Sequence, residues 1–191
     1  MNIMNKDFLF PTPIYVKTFN LNNRELEKSI VNWSEEKNGI NRSNMNGWHS
    51  DYNMQNKDEY KDLVNELNLM QNEILKEENL VENSILTTMW ANINYVGSSN
   101  KSHIHPNSLW SGVYYVKTQK NCGSLVLEDP RIAGLMIKPQ YKSSTIQRHQ
   151  ASEIKIEPIE GNCIMFPAWL FHSVDINNSN DKRISVSFNF G

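Results

Sequence analysis

Three of the five histidines fall in two short segments, His103-Ile104-His105-Pro106-Asn107-Ser108 and Leu170-Phe171-His172-Ser173-Val174-Asp175-Ile176. Imidazole is the side chain a soluble protein most often offers to a transition metal. Successive side chains on an extended segment point to opposite faces, so His103 and His105 project to one side with Ile104 turned away. One ion could touch both. The segment around His172 alternates too, and a third ligand from a distant strand would fix the ion between two edges of one barrel or sandwich. His49 and His149 stand alone in the sequence, and a lone histidine is more often a hydrogen-bonded core or surface residue than a ligand.

Eleven residues beyond His172 begins Arg183-Ile184-Ser185-Val186-Ser187-Phe188-Asn189-Phe190, a strand of strict alternation. Arg183, Ser185, Ser187 and Asn189 share one face, and the four apolar residues share the other. A half-buried strand with its polar face in water shows the same pattern. An Arg and a Ser two apart beside a candidate metal ligand nevertheless make a good carboxylate receptor, because the guanidinium fork binds bidentately and the hydroxyl adds a third hydrogen bond.

These pieces resemble the 2-oxoglutarate/Fe(II)-dependent oxygenase superfamily, and within it are most similar to the 2OG-Fe(II) oxygenases of marine bacteria and their phages. The matching stretches are Phe10-Pro11-Thr12-Pro13, the segment His103 to Ser108 with Ser111-Gly112-Val113-Tyr114-Tyr115, Asp129-Pro130-Arg131, Phe166-Pro167-Ala168-Trp169, His172-Ser173-Val174 and Arg183-Ile184-Ser185. The resemblance implies a mostly β fold with N-terminal helices: a double-stranded β-helix, that is, a jelly roll of cupin-like form, buttressed by two helices. It also implies Fe(II) as metal and 2-oxoglutarate as cosubstrate, with Arg183 on the distal carboxylate, Ser185 assisting and Tyr115 as a further donor. Tyr115 reads equally as a packing aromatic, and Tyr114, on the opposite face, competes with it for the donor role. No catalytic residue beyond the metal ligands is implied.

The superfamily usually holds its metal with His-x-Asp/Glu and a distal His, whereas this chain has His105 in place of the carboxylate. A neutral imidazole for an anion leaves the iron site one positive unit higher, which alters redox behaviour and metal preference. Two ligand sets stay open. Either His103, His105 and His172 form a three-histidine site, or one of the first two histidines orients substrate while Glu128 or Asp129 supplies a carboxylate. Two other functions also compete. A cupin-like three-histidine dioxygenase without a 2-oxo acid leaves Arg183 and Ser185 without a job. A non-catalytic jelly-roll binding or structural module, as in a phage particle, would use the histidines for packing or a structural ion.

The elements that must position these residues are legible in the periodicity. At 191 residues the chain reads as a single domain, 1–191, with an N-terminal strand and helical buttress over 1–84 and a jelly-roll core over 85–191. Phe8 to Val16, punctuated by Pro11 and Pro13, reads as an edge strand. Asn22 or Asn23 caps a helix through about Lys37 with Leu26, Ile30 and Trp33 on its apolar face, and Gly39 stops it. Asp58 to Glu78 is the clearest helix. Trp48 and Tyr52 pin the polar stretch between the two. From Ile85 the period becomes two, giving strands at Ile85 to Val96, Trp110 to Thr118, Ser124 to Glu128, Glu153 to Ile156, Asn162 to Phe166, Phe171 to Ile176 and Arg183 to Phe190. Strands after two helices argue a helix-buttressed sandwich or barrel. Asn92 and Asn94 share a face that looks into a polar cavity or onto the surface. The long break Asp129 to Ser152 reads as a lid or recognition loop over the metal, and Trp110 and Trp169 read as core.

A net charge of −2 without basic clusters gives no dedicated nucleic-acid surface. No apolar stretch approaches a membrane span and no secretory leader is visible, so the expected location is the cytoplasm, or a host's cytoplasm for a phage protein. Cys122 and Cys163 make no disulfide framework: Cys122, in a turn, reads as an exposed thiol, and Cys163 as core. The expected partner is a small-molecule or peptide substrate of unspecified identity. The oligomeric state stays open, a homodimer included.

Overall fold

The structure, a computed structural model, describes residues 4–81, 84–137, 139–142 and 146–191. Its first helix, α1 (Asn23–Glu36), starts where Asn22 accepts the backbone N–H of Glu25, and Leu26, Ile30 and Trp33 fall on one buried stripe. It ends at Lys37, which turns extended. Gly39, expected as the stop, lies beyond the cap and acts by packing instead: a Cβ there would come within 2.8 Å of the Trp48 ring. Helix α2 (Lys61–Glu77) follows a single 3-10 turn, Asp58–Tyr60, and buries Leu63, Leu67, Met70, Ile74 and Leu75.

Two antiparallel sheets form the body. In chain order the strands are β1 (Tyr15–Thr18), β2 (Asn44–Met45), β3 (Trp48–His49), β4 (Leu86–Asn94), β5 (Ser99–His103), β6 (Trp110–Lys117), β7 (Leu125–Glu128), β8 (Glu153–Ile156), β9 (Asn162–Pro167), β10 (His172–Val174) and β11 (Arg183–Phe190). The larger sheet runs β1-β9-β6-β11-β4-β3 and the smaller β2-β5-β10-β7-β8. Strands from before residue 85 thus join both sheets. β1 is an edge strand as expected, but pairing begins only at Tyr15, since Pro11 and Pro13 lack the N–H a ladder needs and Phe10 has φ +59°.

The period-two pattern sorts the larger sheet into two faces. Ile184, Val186, Phe188 and Phe190 of β11 join Met89, Ala91, Ile93, Tyr114 and Met165 in a core against Leu26, Ile30, Leu63, Leu67 and Ile74 of the helices. Each fully buried aliphatic side chain there contributes about 1.5–3 kcal/mol. The other face meets the smaller sheet over a smaller cluster of Tyr115, Leu125, Leu127, Ile164, Phe166 and Leu170. Where that cluster stops, the space between the sheets is polar.

Several expectations change. β5 was hidden in a stretch that reads as a turn: Ser-Asn-Lys-Ser carries no β-branched residue, and the strand forms because β2 and β10 pair with it. Cys122 is buried, not exposed, because Asn121 (φ +64°) and Gly123 (φ +95°) fold the turn inward. Cys163 is core as expected, and so is Trp110, whereas Trp169 is 53% exposed. The described parts of the long loop, with its 3-10 turns Ile132–Leu135 and Arg148–Gln150, contribute no residue to the cavity lined by His103, His105 and His172. Asp129, Arg131, Arg148 and His149 instead border a cleft with the N-terminal residues Lys6 to Ile14.

Candidate metal centre

Cross-strand register brings the distant histidines together. β10 pairs with β5 so that His172 stands directly opposite His103, and their rings lie 4.3 Å apart. His105 is two residues beyond His103, past the end of β5, held by its backbone N–H to Ala168 O at 3.0 Å. One nitrogen from each of His103, His105 and His172 lies within 4.8 Å of the others, and these three are the only such group among the described residues.

Their hydrogen bonds select the tautomer a metal needs. His103 Nδ1 is 2.7 Å from Lys101 O and His172 Nδ1 is 2.9 Å from Leu170 O. A carbonyl only accepts, so Nδ1 carries the proton in both rings and Nε2 keeps its lone pair. His105 Nε2 faces the His172 Nε2 lone pair at 3.3 Å, donating to it as the Nε2–H tautomer and sharing one cation with it as the Nδ1–H tautomer. Burial, reinforced by the neighbouring His103, lowers His105 to about 4 and His172 to about 3, and burial lowers His103 as well. At neutral pH the rings are uncharged and ready to ligate.

The carboxylates that might have replaced one imidazole are engaged elsewhere. Asp129 accepts Arg131 Nε and Nη2, both at 2.9 Å, and the bonds to Arg131 hold its carboxyl below the usual range. Glu128 accepts the Ser102 hydroxyl.

A cavity of about 460 Å³ opens between the sheets beside the histidines and is lined by Trp90, Asn92, Tyr115, Phe166, Arg183 and Ser185 among others. Pairing β11 with both β4 and β6 at the centre of the larger sheet places Arg183 beside Asn94 and Ser185 between Asn92 and Tyr115. Arg183, Ser185 and Ser187 of the polar face of β11 therefore line this cavity, and Asn189 is bound by Ser111 and Thr88. Arg183 is 2% exposed. Its Nη1 donates to Gly123 O at 2.8 Å and its Nη2 to Asn94 Oδ1 at 2.9 Å, while Nε is buried with no partner among the described residues. Burial pulls the guanidinium below its ordinary value, a cost that an anion beside Nε would offset. Tyr115 is buried in the same cavity and pushed up to about 12 by burial, with Arg183 acting in the opposite direction. It stays a protonated donor. Tyr114 points to the helices, where its hydroxyl donates to Asn23 Oδ1 at 2.6 Å.

Asn92 lines the cavity and Asn94 anchors Arg183, so the shared face of these asparagines does look inward. His49, with no partner in the sequence, is a missed neighbour. β3 pairs it with Asn92, and its ring stacks on Trp90 at 5.5 Å, itself 5.7 Å from the His105 ring. Gly123, which supplies the carbonyl for Arg183, and the wall residues Arg42 and Tyr52 were also missed. No spacing signal marks any of them, because only strand pairing brings them here.

The family described as "Putative 2OG-Fe(II) oxygenase" matches residues 88–189, more than half of the chain. The chain belongs to this family. The match begins within β4 and leaves both helices of the oxygenase outside it. No curated protein matches the sequence significantly. Among solved structures, the chain is similar to a Pseudomonas putida prolyl-4-hydroxylase, with a TM-score of 0.65 and 13% identity over 94% of this chain and 92% of that one. It is also similar to the viral collagen prolyl hydroxylase of Paramecium Bursaria Chlorella virus-1, at 0.59 and 14% over 93% and 94%. A third likeness is to the epimerase SnoN in complex with Fe3+, alpha ketoglutarate and nogalamycin RO, at 0.69 and 9% over 94% and 78%. At such identities the likeness establishes the fold, a double-stranded β-helix with its helices on one face. No described helix of the oxygenase is long and apolar enough to cross a membrane.

Proposed function

We propose that this oxygenase is a 2-oxoglutarate-dependent hydroxylase of a small-molecule or peptide substrate, with Fe(II) held by His103, His105 and His172. What carries the reading is one cavity that holds both three converging imidazole nitrogens and a buried arginine with an unpartnered Nε. When bound, Fe(II) would let dioxygen oxidise both partners, one oxygen atom entering the 2-oxo acid as it loses carbon dioxide to become succinate and the other entering a substrate C–H bond as a hydroxyl.

The residues divide that work. The Lys101 and Leu170 carbonyls fix the rings of His103 and His172, so the ligands are oriented before metal arrives. Arg183 receives the distal carboxylate through Nε, its other nitrogens being braced by Gly123 and Asn94, and Ser185 and Tyr115 add hydroxyl donors from adjacent strands. Phe166 packs against the His172 ring at 4.8 Å and limits water at the metal. A three-histidine dioxygenase without a 2-oxo acid would leave the buried Arg183 charge uncompensated. Two free buried thiols, Cys122 and Cys163, suit a reducing compartment such as the cytoplasm.

Anaerobic titration of Fe(II) and 2-oxoglutarate into the metal-free protein tests the reading. The expected result is a weak visible charge-transfer band from chelation of the 2-oxo acid, lost in His105→Ala and shifted to at least roughly tenfold higher 2-oxoglutarate in Arg183→Ala, because a charge-assisted contact is removed. Iron binding without the band would overturn the cosubstrate assignment, and absence of iron binding would overturn the enzyme.

A further inference from the structure

The outer end of the cavity has no task in the scheme above. Its lining carries Arg42, Lys101 and Arg183 but, among the described residues, no aspartate or glutamate, in a chain whose net charge is −2. Neither Arg42 nor Lys101 has an ion-pair partner among the described residues. Arg42 donates from Nε to the Tyr52 hydroxyl at 3.0 Å and from Nη1 to Asn41 O at 3.2 Å, which holds the fork in place and leaves Nη2 for something else. Lys101 is kept beside it because its backbone N–H donates to Ser43 O at 2.9 Å.

An aromatic wall joins this cationic end to the histidines. The His105 ring lies 5.7 Å from Trp90, Trp90 lies 5.2 Å from Tyr52, and the Arg42 guanidinium sits over Tyr52 at 5.8 Å. A compound lying along Trp90 and Tyr52 would therefore reach from the candidate metal to Arg42. Formal charge points the same way. The 2-oxoglutarate dianion neutralises Fe(II), all three ligands are neutral imidazoles, and Arg183, Arg42 and Lys101 leave the loaded cavity cationic.

We propose that the substrate is a small oxyanion, a carboxylate or phosphate carried on an apolar or planar body, with Arg42 and Lys101 as the residues that select it. This rests on the reading of the site as an iron and 2-oxoglutarate centre. The body packs on Trp90 and Tyr52, and the anionic group at the far end fixes which carbon faces the metal. The side chains of Arg42 and Lys101 set specificity, and Lys101 meets the metal site only through its backbone carbonyl, which a side-chain substitution leaves in place.

The test is calorimetric binding to the anaerobic protein loaded with Fe(II) and 2-oxoglutarate. The probes are matched pairs: indole-3-acetate against indole-3-acetamide, and phenyl phosphate against phenol. The expected result is that in at least one pair the anion binds roughly tenfold or more tightly than its neutral partner, a preference of the size charge-assisted contacts give. The favoured pair tells carboxylate from phosphate. The preference should shrink as salt is raised and fall to near parity in Arg42→Gln combined with Lys101→Gln, with the 2-oxoglutarate band unchanged. With that band intact, equal binding within both pairs, no binding of any probe, or a preference that survives the double substitution overturns the proposal. A band missing from the unsubstituted protein would instead overturn the iron reading, and this inference with it.

Discussion

At the scale of single residues, His105 is the departure with the largest consequence. By resemblance it stands where the superfamily usually has a carboxylate, and it meets His172 Nε2 at 3.3 Å, so a metal bound there would sit among neutral donors. His105→Asp is expected to keep Fe(II) but to bind 2-oxoglutarate at least roughly tenfold more weakly. The added anion would face the cosubstrate dianion, and two unit charges about 5 Å apart at an effective dielectric of about 20 interact by about 3 kcal/mol. Parallel anaerobic titrations of His105→Asp and the unsubstituted protein check this, and tighter 2-oxoglutarate binding in the variant would contradict the charge argument.

Among the elements, β6 and α2 each contain a residue that reports how tightly they pack. Gly112 lies in β6 with Phe188 and the Ile164 carbonyl so close that a Cβ would meet them at 2.3 and 2.6 Å. Gly112→Ala should destabilise by about 1–3 kcal/mol through overpacking, read as a lower denaturation midpoint with unchanged m-value. Gln71 presents the opposite case. It is 1% exposed on the buried face of α2, and neither atom of its amide has a protein partner among the described residues. Gln71→Met keeps the shape and removes the desolvated amide, so it is expected to stabilise by about 1–3 kcal/mol. A lower melting temperature for Gln71→Met would show that the amide is satisfied.

For the whole molecule, the inward-facing histidines link stability to pH. Burial lowers His105 to about 4 and His172 to about 3, with their ordinary value at 6.5 in the unfolded chain. Between these values the unfolded chain binds more protons than the folded one. Stability of the metal-free protein is therefore complete above pH 6.5 and falls as the pH drops toward 4 and then 3, by up to about 1.4 kcal/mol per pH unit for each histidine. Denaturant midpoints measured from pH 7.5 to 4.5 should show this slope, and replacing His172 with Phe should flatten it. A metal such as Fe(II) at about 100 times its Kd would add about 2.7 kcal/mol at neutral pH, an increment that shrinks as protons compete for the ligands.

Much of this was written locally. Leu26, Ile30 and Trp33 at helical spacing, the Asn22 cap and the alternation of β11 report on near neighbours in the chain, which is where helix and strand periodicity act. The His103-x-His105 and Arg183-x-Ser185 spacings were legible because each is a two-residue step along one extended segment, whereas the approach of His172 comes from pairing β10 with β5. Other features were decided by tertiary structure. β5 is a strand only because β2 and β10 flank it, Cys122 is buried only because two positive-φ residues turn it inward, and Trp169 is exposed although its composition suggested core. The described parts of the loop after Glu128 border a cleft with the N-terminal segment and do not line the cavity at His103, His105 and His172. His49, Gly123, Arg42 and Tyr52 reach the cavity through pairings and loop placements that no spacing in the chain encodes. Which face of a strand is apolar is a local property, whereas what that face meets depends on residues far away in sequence.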